Sequence, residues 1–137
     1  MTELEFQYFH IDTNWKHPVL TITQSCLDCE EMSRQLQQDL LTVVDEIGLS
    51  HVILDFQKVI SLYTIVLKAL LTLQQRVALS SGRVVLCGMA PHVEDIFQIC
   101  GLVSSPSKPS PSLFDVEPDV PASIAFLDQL PPLQEPE

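Results

Sequence analysis

Apolar positions change their period several times along the chain, and each change marks an element. Val52, Ile53 and Leu54 form a short continuous apolar run that stops at Asp55, the pattern of a strand buried on both faces of a mostly parallel sheet. About eight residues later the spacing turns helical, with Val66, Leu70, Leu73 and Val77 recurring at i, i+4, i+7 and i+11. The hydroxyls of Ser61 and Thr64 stand where they can cap the first turn. The loop between strand and helix is the expected working surface. A helix N-terminus after a parallel strand presents free N–H groups where open α/β sheets place ligands or phosphorylated groups.

Ahead of this unit, Phe6, Tyr8 and His10 alternate with Gln7 and Phe9, and strand formers return at 19–23 after a break at 14–18. The two stretches predict an opening antiparallel pair. A helix is expected over 27–47, with Leu36, Leu40, Val43, Val44 and Ile47 inward, Arg34, Gln38, Asp45 and Glu46 outward, and Gly48 as its stop. Beyond Ser80, Ser81 and Gly82, a buried strand is expected over 84–87, ending at Gly88. Pro91 then opens a helix with Val93, Ile96, Phe97 and Cys100 on its apolar face and Gly101 at its end. Residues 104–112, rich in Ser and Pro, read as a loop and 113–116 as a last strand. A final helix is expected over 119–127, with Val120, Ile124 and Leu127 inward and Pro121 tolerated in its first turn.

The order ββαβαβαβα predicts an α/β fold: an open sheet of mostly parallel strands with one antiparallel edge strand and helices packed on it. The 137 residues suffice for one domain, expected over 1–127, followed by a flexible, acidic, Pro-rich tail over 128–137.

Charge narrows the partners. Eighteen acidic residues against seven basic ones give a net charge of -11, so the chain lacks the Lys/Arg surface that nucleic acid requires, and protein partners fit better. No apolar run approaches the ~20 residues that cross a bilayer, so membrane insertion is not expected. The start, Met-Thr-Glu-Leu-Glu-Phe, has neither the basic residues nor the apolar stretch of a signal peptide, and the chain reads as cytoplasmic. In that compartment Cys26, Cys29, Cys87 and Cys100 are expected as thiols.

A family likeness rests on several patches together. Ile53-Leu54-Asp55-Phe56, a loop entering an apolar helix, Gly82-Arg83-Val84-Val85-Leu86-Cys87-Gly88-Met89, Pro91-His92-Val93 and Gly101-Leu102 resemble the STAS domain, the anti-sigma factor antagonist fold. The likeness runs from about Phe6 to Leu127. In that family the loop usually reads Asp-Ser-Ser/Thr-Gly-Leu, and a partner kinase phosphorylates one of its hydroxyls. The resemblance lays this loop on Tyr63-Thr64-Ile65-Val66-Leu67, where only Thr64 and Leu67 keep the pattern. Val66 replaces the glycine and resists positive φ. Tyr63 replaces the carboxylate beside the hydroxyl, and Ile65 cannot carry a phosphate.

What the resemblance implies is a regulatory interaction module without cofactor or catalysis. It would dock an anti-sigma factor kinase or a related signalling protein through 61–68, with Leu62, Tyr63, Thr64, Ile65, Lys68 and His92 as contact residues. Thr64 or Ser61 would be the candidate phosphosite, the alternative being that each merely caps the helix. Packing against a second copy, and a scaffold role in a stressosome or transporter complex, stay open within the same fold.

Other chemistry is thinner. Cys26-Leu27-Asp28-Cys29 at an expected helix start could support thiol–disulfide exchange. The adjacent Asp28, Glu30 and Glu31 oppose a thiolate there. Cys87 and Cys100 fall on a buried strand and an apolar helix face, as small core residues do. The four histidines show no metal-ligand spacing, and His92 can face the Thr64 loop or simply solvent. Glu30-Glu31 and Glu94-Asp95 suit helix N-termini without any catalytic role.

Overall fold

A computed structural model describes residues 8–12, 15, 17–27, 29–47, 51–79, 82–103 and 114–130. The expected stops and loops at 48, 80–81 and 104–112 lie outside the described residues, as does most of the tail.

The strands are β1 (Phe9–Asp12), β2 (Val19–Ile22), β3 (Cys26–Leu27), β4 (Val52–Asp55), β5 (Ser61–Leu62), β6 (Val84–Cys87) and β7 (Asp115–Glu117). The helices are α1 (Glu30–Ile47), α2 (Leu67–Ala78), α3 (Pro91–Ile99) and α4 (Val120–Asp128), and a 3-10 turn over Thr64–Val66 leads into α2. Five strands form the main sheet in the order β1-β2-β4-β6-β7, with β1 antiparallel to β2 and the rest parallel. The expected mixed α/β sheet with one antiparallel edge is therefore present. A two-stranded parallel sheet, β3 on β5, is additional to it.

Strand alternation divides the sheet into two cores. Leu20, Ile22, Val52, Leu54, Val84 and Leu86 face one side, where Leu36, Leu40 and Val43 of α1, Leu70 and Leu73 of α2, and Val93 and Phe97 of α3 cover them. Val19, Ile53, Val85 and Cys87 face the other side and are covered by Leu127, with Val120 and Ile124, of α4. Crossovers of one hand between successive neighbouring strands put α1, α2 and α3 on a common face. Among the described helices, only α4, after the last strand, covers the other face. Asp119 caps α4 by accepting the Ala122 N–H at 2.9 Å.

Three local expectations change. In β1 the buried phase is that of Phe9, with His10 exposed, because pairing Phe9 with Ile22 sets it on the helix-covered face, and Phe6 lies outside the described residues. The first long helix begins at Glu30 instead of residue 27, since Cys26 and Leu27 are taken by β3. Cys100 is exposed. The chain closes α3 with a Schellman motif, the Leu102 N–H donating to the Phe97 carbonyl and the Gly101 N–H to that of Gln98. Gly101, at φ +74°, turns the chain so that Leu102 takes the buried place that helical spacing assigns to Cys100.

Gly88 is fixed more tightly. Its φ is +68°, and a Cβ there would meet Asp55 Oδ1 at 3.0 Å and the Gln57 amide nitrogen at 3.2 Å. Gly88→Ala is expected to destabilise the fold by about 1–3 kcal/mol in urea unfolding. Gly101→Ala, with open space around its Cβ, should cost only the positive-φ term of about 1–2 kcal/mol. Equal losses at the two positions would show that the close approach at Gly88 has no energetic weight.

Candidate functional site

The candidate surface begins where β4 ends. Asp55 Oδ1 accepts the Gln57 N–H at 2.9 Å, turning the chain out of the sheet. The Phe56 N–H donates to the Cys87 carbonyl at 2.8 Å, and the Val59 N–H to the Phe56 carbonyl at 2.9 Å. The chain then runs beside β3. The Ile60 and Ser61 N–H groups share the Ser25 carbonyl at 2.8 and 3.2 Å, and the Tyr63 N–H donates to the Leu27 carbonyl at 2.8 Å.

Side chains fasten the same segment from three directions. Ser61 Oγ donates to Cys26 Sγ at 2.9 Å, Ser33 Oγ of α1 donates to the Ile65 carbonyl at 3.0 Å, and the His92 ring of α3 hydrogen-bonds the Ile60 carbonyl. A loop tied to β3, α1 and α3 loses little conformational entropy when a partner orders it.

Strand alternation in β5 decides which residues are displayed. Leu62 is turned into the core at 3% exposure and so does not contribute to the surface, contrary to expectation. Tyr63 is 59% exposed, Ile65 43% and Ile60 62%, three large apolar side chains close in sequence with Thr64 exposed among them. Lys68 is exposed on α2 and His92 at the start of α3. Sequence spacing missed Ile60, which follows the buried Val59 in an aperiodic loop. It also missed Ser25, Cys26 and Ser33, whose roles depend on pairing between distant segments.

Neither hydroxyl caps the helix. Ser61 is half-buried in β5 with its hydroxyl given to Cys26. Thr64 is the first residue of the 3-10 turn, whose cap position is Tyr63, and no side chain caps that turn or α2. Val66 is buried, as the helical spacing requires.

Cys26 lies in β3 instead of a helix start. Cys29 precedes α1, its carbonyl accepting the Ser33 N–H at 3.0 Å and its Sγ the Met32 N–H at 3.4 Å, so it acts as the cap of α1. Cys87 is fully buried, and desolvation first, then the nearby Asp55 carboxylate, pushes its thiol up to about 12. A hollow of about 280 Å3, with no residue of the loop in its lining, lies between Gly88, Met89, Glu94 and the chain at 116–118. It falls below the usual ~300–1,000 Å3 range of small-molecule sites.

The STAS domain profile matches residues 17–118, spanning β2 to the end of β7. The chain belongs to the STAS domain family. Among solved structures, the anti-sigma factor antagonist SpoIIAA in its unphosphorylated form superposes with a TM-score of 0.62 at 14% identity, covering 89% of this chain and 99% of that one. A candidate anti-sigma factor antagonist from Thermotoga maritima gives a TM-score of 0.67 at 12% identity, covering 88% and 93%. The phosphorylated form of SpoIIAA, the Bacillus cell fate determinant, gives 0.54 at 18% identity, covering 69% and 84%. No curated protein matches the sequence. In this STAS domain the segment entering α2 carries Tyr63, Thr64, Ile65 and Val66. Among the described residues no helix is long and apolar enough to cross a membrane.

Proposed function

We propose that this STAS domain is a non-enzymatic regulatory module that docks a protein partner through the segment 60–65. The partner would be an anti-sigma factor kinase or a related signalling protein. The observation that carries the reading is the exposure of Ile60, Tyr63 and Ile65 on a segment hydrogen-bonded to β3, α1 and α3. Clustered exposed apolar side chains on a rigid support are the features of an interaction site. Lys58 and Lys68 are exposed on either side of that segment in a chain of net charge -11, which favours a partner surface that combines apolar groups with carboxylates.

Within this reading Thr64 is the phosphorylation position and Ser61 is not. Thr64 is exposed, whereas Ser61 is half-buried and hydrogen-bonded to Cys26. A phosphate on Thr64 would lie at the start of the 3-10 turn, near amides that stabilise anions, and would add charge amid the three apolar side chains. The test incubates the chain with ATP and the histidine-kinase-like anti-sigma factor encoded nearest its gene, followed by intact-mass and peptide mass spectrometry. One phosphate on Thr64, lost in Thr64→Val and kept in Ser61→Ala, is the expected result. Phosphate on Ser61, or none on either residue, contradicts the phosphorylation control while leaving the docking surface to its own test.

A further inference from the structure

A histidine pair lies at the N-terminal edge of the parallel strands, the opposite end of the sheet from the docking segment. His51, immediately before β4, is 5% exposed, and its Nδ1 accepts the Arg83 N–H at 2.9 Å. That bond requires an unprotonated Nδ1. The ring of His17, just ahead of β2, stands edge-on to it with centroids 5.5 Å apart. His17 Nε2 in turn meets Asp128 Oδ1 at 3.3 Å, at the last residue of α4. The Arg83 guanidinium beside His51 is held by Asp115 of β7 through two bonds of 2.8 Å.

We propose that His17 and His51 form an acid-sensitive latch on α4, in which protonation of His51 releases the C-terminal helix from the face of the sheet that it covers. A protonated His51 cannot accept the Arg83 N–H, and it places a second cation beside the Arg83 guanidinium and a third whenever His17 is charged. Asp115 is already engaged by Arg83, and Asp128 faces His17 from α4. Relief comes from displacing His17, the less buried ring, which carries it away from Asp128, a carboxylate that opposes the displacement whenever His17 is charged. Burial first, then His17 and Arg83, hold His51 below the usual imidazole range, with Asp115 opposing them. A form in which His17 has moved away and left His51 open to solvent therefore binds more protons than the closed one. The advantage of the closed form is complete above about pH 6.5 and is lost as the pH falls below that value. Helix α4 is the responsive element because it is nine residues long, too short to persist alone, and meets the sheet through the small cluster of Val19, Ile53, Val85, Cys87 and Leu127. Its release uncovers that apolar strip.

Hydrogen exchange of the full chain at pH 7.5 and 5.5, corrected for intrinsic rates, tests the latch. Protection of the α4 amides is expected to fall by up to about tenfold, the ratio that one proton of ordinary histidine affinity gives over this interval, while α1 and β4 keep theirs. His51→Asn, whose side-chain oxygen can replace Nδ1 as acceptor, should make α4 protection equal at the two pH values. Constant α4 protection in the wild type overturns the proposal, as does an equal loss in α1 and β4, which would mark a change in global stability. A tenfold fall that persists in His51→Asn does so too. The wild-type comparison stands even if the variant fails to fold.

Discussion

Phe97→Ala is expected to destabilise the domain by about 3–5 kcal/mol, more than any other single truncation considered for this fold. Phe97 is fully buried on α3, and its ring meets Phe56 and Phe114 edge-to-face, with centroids 6.1 and 6.0 Å apart and interplanar angles of 81° and 82°. Phe56 follows the last residue of β4 and Phe114 precedes the first of β7. One side chain thus joins α3 to the end of one strand and the beginning of another. Truncation removes both aromatic pairs, each worth about 0.5–1.5 kcal/mol beyond burial, and opens a cavity among residues held in place by the sheet. Against a total of about 5–15 kcal/mol for a domain of ordinary stability, the variant should be marginally folded. Urea or thermal unfolding checks this, with Phe97→Leu expected to lose less because it refills part of the space. A loss below about 1 kcal/mol would mean that the surrounding residues collapse into the vacancy.

Truncating the displayed side chains should have the opposite profile. Tyr63→Ala and Ile65→Asp are each expected to weaken partner binding by about 2–4 kcal/mol, roughly 30- to 1,000-fold, the range of hot-spot residues. Both side chains are exposed, so stability should stay within about 0.5 kcal/mol of the parent. Leu79 and Ile99, 64% and 84% exposed, provide controls, because they are equally apolar but lie at the C-terminal ends of α2 and α3. Their Ala variants should bind as the parent does. Titration of each variant against the partner recovered by affinity capture, with thermal unfolding alongside, separates the two effects. Losses of the same size at Leu79 and Ile99 would indicate general surface stickiness instead of a localised site.

These contrasts follow the line between what periodicity encodes and what it does not. The apolar run of β4, the spacing of Val66, Leu70, Leu73 and Val77 on α2, and the run of β6 depend on the chain's own repeat, so the main elements and both antiparallel and parallel parts of the sheet were legible. A two-residue strand has no period. The pairing of Cys26–Leu27 with Ser61–Leu62 joins segments 35 residues apart, and it is this pairing that buries Leu62, removes Ser61 from capping and fixes the loop. The outward position of Cys100 has a similar origin, since the turn at Gly101 gives Leu102 the buried place that helical spacing assigns to Cys100. Of the residues named from sequence for the surface, Tyr63, Thr64, Ile65, Lys68 and His92 are exposed and Leu62 is buried, whereas Ile60 and the supporting Ser25, Cys26 and Ser33 were not legible there.

The proposed docking rests on apolar contact by the exposed side chains at the entrance to α2. Site-specific photo-crosslinking in cells tests this most directly, with benzoylphenylalanine at position 63, where an aromatic side chain already stands exposed, and at position 99 as the control. A discrete crosslinked complex with one protein partner is expected at position 63 and none at 99. No complex at position 63, or the same products from both positions, would contradict it.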